Sequence, residues 1–177
     1  MNLMQYIDHG GVIIYILIAL NIIGFTIMII KFIQIMITKR HTVVLLNEVT
    51  QHIKTKEISL KDEYIVVEVV KAEMAKKFQY LESGLGTVKT ISSIAPLLGL
   101  LGTVVGVLVA FEGISKNGMG DPSTFAGGIS MALVTTVAGL IVAIPHYVGY
   151  NCLITQLDTL EANVTSEILP SVYKKEV

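Results

Sequence analysis

The chain has 177 residues, 53% of them hydrophobic and 15% charged, with a formal net charge of −1 and a mean hydropathy of +0.69. Ordinary soluble domains carry about 25% charged residues, so this composition excludes that class and points to a membrane protein. A near-neutral chain without an aromatic-interleaved basic patch also gives no footing for nucleic acid, and no nucleic-acid role is expected.

The N-terminus offers neither a basic stretch ahead of its apolar run nor a small-residue cleavage site, so the first run is expected to stay as an anchor. Three intervals contain no Asp, Glu, Lys or Arg: His9 to Ile30, Thr90 to Phe111 and Pro122 to Leu157. Each is long enough to cross a hydrocarbon core, which takes about 20 helical residues. The predicted fold class is therefore all-α, an integral membrane protein with three transmembrane helices near 12–33, 91–112 and 125–149. The third interval exceeds a single crossing, so its helix should leave the bilayer and continue, or bend.

Lysine and arginine orient the spans, because short cytoplasmic loops hold an excess of them. Lys31, Lys39 and Arg40 follow the first span, Lys54, Lys56, Lys61, Lys71, Lys76, Lys77 and Lys89 precede the second, and Lys174 and Lys175 end the chain, whereas only Lys116 lies between spans two and three. Residues 1–33 are then an outer N-terminus and span one, 34–90 a cytoplasmic segment, 113–124 a short outer loop, and 150–177 a cytoplasmic C-terminal helix. No proline interrupts 41–95, and Ile65, Val69, Ala72 and Lys76 recur at helical spacing, so the cytoplasmic segment is also expected to be helical. A second amphipathic stripe, Leu153, Leu157, Leu160, Val164 and Ile168, follows span three and is expected to pack on that segment or on another subunit. Cys152 has no partner spacing and reads as a small residue at the membrane boundary.

Span one is large and apolar on all sides and is expected to face lipid. Spans two and three differ. Ser92, Ala95, Gly99, Thr103, Gly106 and Ala110 step by three or four along one, and Gly128, Ala132, Thr135, Gly139 and Ala143 along the other. Small stripes let helix backbones approach closely in lipid, so the two spans should pack together or line a shared interior, with Gly99, Gly106, Gly128, Ala132 and Gly139 as the packing residues. Pro96 and Pro145 are candidate kinks. Thr103 and Thr136 have two readings: packing, with each hydroxyl bonded one turn back, or hydroxyls offered to an interior water path or a partner's ionisable group. No carboxylate stands at mid-membrane depth in either span, so the chain supplies no titratable acid there. His146, after Pro145, is expected near the cytoplasmic boundary, in an interfacial hydrogen bond or as a proton carrier.

Enzymatic signatures are lacking. GLGTVKT at 84–90 ends in Lys-Thr like a phosphate loop, but Val88 replaces the required glycine, and no strand is expected ahead of it. There is no HExxH, no GxSxG and no paired-cysteine or clustered-histidine metal spacing. No catalytic residue, metal or cofactor is expected.

The blocks IAPLLGLLGTVVGVLVAF at 94–111 and GGISMALVTTVAGLIVAIPHYVGYN at 127–151 resemble the signature spans of the ExbB/TolQ/MotA family of ion-driven motor subunits, and among them ExbB and TolQ. The resemblance is strong over about 80–155 and only general in span one. It implies an inner-membrane pentamer around the helices of an ExbD- or TolR-like single-span partner, whose membrane aspartate takes up and releases protons. Work would pass to a TonB- or TolA-like protein that reaches the outer membrane, for transport in an ExbB-like system or envelope maintenance in a TolQ-like one. Thr103 and Thr136 match the threonines that the family places near that aspartate. Many relatives carry a glutamate five residues before the second threonine, where this chain has Met131 beside Ser130, so a role for that glutamate does not carry over. Three spans argue against a flagellar stator subunit. A secondary transporter should show inverted repeats or a polar midplane pocket, and the sequence has neither; a passive scaffold is the remaining alternative.

Overall fold

The computed structural model describes residues 11–40, 63–118 and 122–173. Expectations for 41–62, for the loop residues 119–121 and for Lys174 and Lys175 lie outside the described residues. Four helices make up the described chain: α1 (Gly11–Arg40), α2 (Glu63–Glu82), α3 (Leu85–Asn117) and α4 (Pro122–Tyr173). No strand occurs among the described residues. Three stretches, Gly11–Arg40, Lys71–Lys116 and Phe125–Ser166, are long and apolar enough to cross a membrane. Helix is what such sequences must form in lipid, where every backbone N–H and C=O has to be satisfied within the segment.

Helix ends fall where the sequence supplies a left-handed residue. Gly84 has φ +88° and Gly118 φ +73°, a conformation that costs glycine nothing and other residues much. The Gly118 N–H donates to the Ile114 carbonyl at 2.9 Å and closes α3, and the Ser83 N–H donates to the Gln79 carbonyl at 2.9 Å at the end of α2. The α2–α3 break at Ser83–Gly84 thus falls within the long proline-free stretch. Pro96 and Pro145 both sit inside unbroken helix. The third span and the C-terminal segment form one helix of 52 residues.

The chain divides into two compact units, Met1–Ile27 with Gly86–Tyr150, and Met28–Leu85 with Asn151–Val177. In the first, Ile13 and Leu17 of α1 join Ile91 and Ala95 of α3 and Val142 and Ala143 of α4 in a buried cluster, with Leu20, Leu98 and Ala138 against it. Span one is therefore not lipid-facing all round, as its uniform composition suggested. Its outer face carries exposed Ile16, Ile22, Ile23 and Ile29, but its inner face is a packed stripe. An all-apolar helix gives periodicity nothing to work with, so composition cannot show which face is covered.

In the second unit the buried side chains are Met28, Lys31 and Ile35 of α1, Met74, Phe78 and Leu81 of α2, Leu85 at the start of α3, and Leu153, Leu157, Leu160 and Val164 of α4. The C-terminal stripe is the expected one through Val164. The α2 face is not: Ala72 and Lys76 are exposed, and the large residues Met74, Phe78 and Leu81 take the inner positions because they remove more apolar area from water. Lys31 is buried and reaches the last turn of α2. Its ammonium donates to the Tyr80 carbonyl at 3.2 Å and to Ser83 Oγ at 3.4 Å, and lies 5.3 Å from the centre of the Tyr80 ring. A cation at the carbonyl end of a helix satisfies an orphan acceptor and opposes the helix dipole.

Candidate functional site

Spans two and three meet through backbone-to-backbone contact within the first unit. A methyl on Gly99 would lie 2.9 Å from the Thr135 carbonyl oxygen and 3.1 Å from Thr136 Cα, and one on Gly139 would lie 2.6 Å from the Ala95 carbonyl oxygen. Gly106 faces the Gly128 carbonyl oxygen and Ala132, and Gly128 faces Gly106 and Ala110, all closer than a Cβ can tolerate. The structure brings Gly99, Gly106, Gly128, Ala132 and Gly139 to a single seam. On α4 the seam follows Gly128, Ala132, Thr135 and Gly139; on α3 it follows Ala95, Gly99, Gly102, Gly106 and Ala110.

Gly102 is the residue that sequence reasoning missed. A methyl there would overlap the Thr135 side chain. Steps of 99, 103, 106 and of 99, 102, 106 satisfy helical spacing equally, and only glycine's smaller size favoured the second. Thr103 consequently stands beside the seam rather than in it. It is half-buried, and its hydroxyl donates to the Leu100 carbonyl at 2.6 Å.

Thr135 and Thr136 divide the opposite way. Thr135 is wholly buried and donates to the Met131 and Ala132 carbonyls at 3.0 and 2.9 Å. Thr136 is half-buried, and its hydroxyl lies 3.3 Å from the Gly99 carbonyl across the seam and 3.3 Å from the Ala132 carbonyl on its own helix. In a continuous α-helix the Gly99 carbonyl also accepts from the Thr103 N–H. Thr136 by its hydroxyl and Thr103 by its backbone N–H thus meet at one carbonyl, while the Thr103 hydroxyl takes the next one, on the side of the seam that the protein leaves partly open.

A hydroxyl carries one donor and two acceptor lone pairs. With their protons on backbone carbonyls, Thr103 and Thr136 keep lone pairs for water or for the acid proton of a carboxyl group. Redirecting a hydroxyl toward an ionised carboxylate requires giving up a carbonyl, and the 3.3 Å bonds of Thr136 are the weaker ones to lose. Met131 is half-buried, and a Cβ on Gly11 would lie 3.2 Å from its Cε. Among the described residues no three His, Cys, Asp or Glu side chains gather as they would to hold a metal ion. His146 is fully buried within the protein.

Residues 40–166 match the MotA/TolQ/ExbB proton channel family. The chain belongs to that family. Individual relatives include the biopolymer transport protein ExbB of Neisseria gonorrhoeae, 38% identical over 92 residues that make up 52% of this chain and 41% of that protein. That of Helicobacter pylori is 42% identical over 80 residues, 45% of this chain and 55% of that protein. That of Pseudomonas putida is 40% identical over 85 residues, 48% of this chain and 26% of that protein. The chain thus spans about half or less of the length of each of these relatives. Family membership together with three long apolar helices makes this a multi-pass membrane protein, and the seam between α3 and α4 lies inside the matched region.

Proposed function

We propose that this chain is the ExbB-like subunit of a proton-driven membrane motor, in which Thr103 and Thr136 face an ionisable group supplied by a partner. The observation that carries the reading is the pair of half-buried threonines, Thr136 with its hydroxyl at the Gly99 carbonyl and Thr103 with its hydroxyl on the Leu100 carbonyl one residue further on, in two spans whose charge-free intervals contain no acid of their own. A proton path needs a group that binds and releases the proton, and here it comes in trans, from the membrane aspartate of an ExbD-like single-span protein. The subunits form a homo-oligomer, a pentamer by family resemblance, around that partner's helices. Work passes on to a TonB-like protein for transport across the outer membrane, in keeping with relatives named as biopolymer transport proteins. The N-terminus lies outside the inner membrane and the C-terminus in the cytoplasm, on the lysine and arginine asymmetry.

The test is proton flux into liposomes holding the chain alone, a single-span partner alone, or both. Flux that needs both, and that falls to background when the partner's membrane aspartate becomes asparagine, is the expected result. Flux through the chain alone, or none with any partner that co-purifies with it, removes the reading.

A further inference from the structure

His146 is a buried titratable group that the proposed proton path does not use. Its Nδ1 lies 2.7 Å from the Val142 carbonyl oxygen. A carbonyl only accepts, which assigns the ring proton to Nδ1 and leaves Nε2 a bare lone pair. Nε2 is sealed from solvent and has no hydrogen-bond partner. It is directed at Gly24 of α1: a methyl on Gly24 would overlap Nε2 and the neighbouring ring carbon. The Phe25 ring stands T-shaped to the imidazole, with centroids 5.0 Å apart. The ring is thus clasped by α1 in a form that carries one proton and has no acceptor for a second.

We infer that His146 is a proton-sensitive lock: the neutral ring holds α1 against α4, and a second proton on Nε2 releases it. An imidazolium N–H buried without an acceptor is strongly disfavoured. Protonation and the present contact therefore exclude one another, and the ring must leave Gly24 to find water or another acceptor. Few other charges face this place. From Gly11 to Ile30, α1 carries no ionisable side chain except Tyr15. On α3 the nearest in sequence to Ile91, which approaches Gly24, is Lys89, whose ammonium lies 5.6 Å from the centre of the Tyr150 ring. On α4 the neighbours in sequence are Tyr147 and Tyr150. None is an acid that could compensate an imidazolium.

Nuclear magnetic resonance of the full chain in phosphatidylcholine–phosphatidylglycerol bilayers, with labelled histidine and phenylalanine, tests this without reference to proton conduction. The His146 signals are those lost in His146→Asn. The expected result near pH 8 is the Nδ1–H form with a through-space contact to the Phe25 ring. As the sample is taken from about pH 8 down to about pH 5, a second proton on Nε2 and loss of the Phe25 contact should come in the same step. Gly24→Ala should lose the contact at every pH. Protection of the α1 amides, taken as exchange relative to the intrinsic rate at each pH, should fall with acid in the wild type and stay level in His146→Asn, whose amide can still donate to Val142. An Nε2–H form near pH 8, a protonated ring that keeps its Phe25 contact, no second proton by pH 5, or an acid-induced loss of α1 protection that persists in His146→Asn would each overturn the lock.

Discussion

At Thr136 the hydroxyl is poised between two carbonyls at 3.3 Å, whereas Thr103 holds its carbonyl at 2.6 Å and Thr135 holds two within its own turn. Valine keeps threonine's shape and removes the hydroxyl, so substitution separates packing from proton handling. Thr136→Val and Thr103→Val should each assemble normally, since a lost hydrogen bond contributes only about 0.5–1.5 kcal/mol net, and should nearly abolish proton flux in reconstituted complexes. Thr135→Val should conduct, because that hydroxyl is sealed from any partner. Thr135 also packs on Gly102, so its control value rests on keeping valine's volume; a larger residue there would test the seam instead. Wild-type flux in both Thr136→Val and Thr103→Val would return these residues to packing.

Among the elements, the adjacent pair Gly127 and Gly128 separates helix propensity from helix contact. A Cβ on Gly127 meets nothing within 4 Å, while one on Gly128 would come within 2.7 Å of Ala110. Gly128→Ala should destabilise the α3–α4 pair by about 1–3 kcal/mol through overpacking, and Gly127→Ala should stay within about 0.5 kcal/mol of the wild type. Unfolding by sodium dodecyl sulfate from mixed micelles measures both, and equal midpoints would show that the seam is looser than drawn. Lys31 makes a second element-scale case. Lys31→Met keeps a long apolar stem but removes the ammonium from the Tyr80 carbonyl, so amide exchange in the last turn of α2 should quicken by about tenfold, the equivalent of roughly 1.4 kcal/mol. Unchanged exchange there would mean that Gly84 and the Ser83 hydroxyl, which donates to the Tyr80 carbonyl at 2.6 Å, suffice to end the helix.

For the whole molecule, the charge asymmetry predicts that cysteines at positions 56 and 116, in a Cys152→Ser background, label from opposite faces of the membrane. Labelling from one face would overturn the proposed topology. The chain is also expected to work only as an assembly, because exposed Leu97, Leu100, Val104, Leu133, Val137 and Leu140 flank the seam and offer α3 and α4 more surface than α1 covers. A fully active monomer in mild detergent would contradict this.

Much of this was legible along the chain because lipid imposes a simple rule: charge-free stretches of sufficient length must be helices, and small residues repeated at three or four steps must meet another backbone. Three spans, the glycine seam and the family blocks follow from that rule and from residue order alone. What only the tertiary structure decided concerns faces and neighbours. Thr103 and Gly102 differ by a single helical step that periodicity cannot resolve, the covered side of α1 is invisible in a helix that is apolar all round, and the inner face of α2 went to its larger side chains rather than to the stripe that spacing suggested. Lys31 and His146 read in sequence as boundary residues, and the fold buries both: one finds the carbonyl end of a helix some fifty positions away in the chain, the other a glycine that leaves just enough room for its ring. Such pairings join residues far apart in sequence, where local pattern carries no information about which helix faces which.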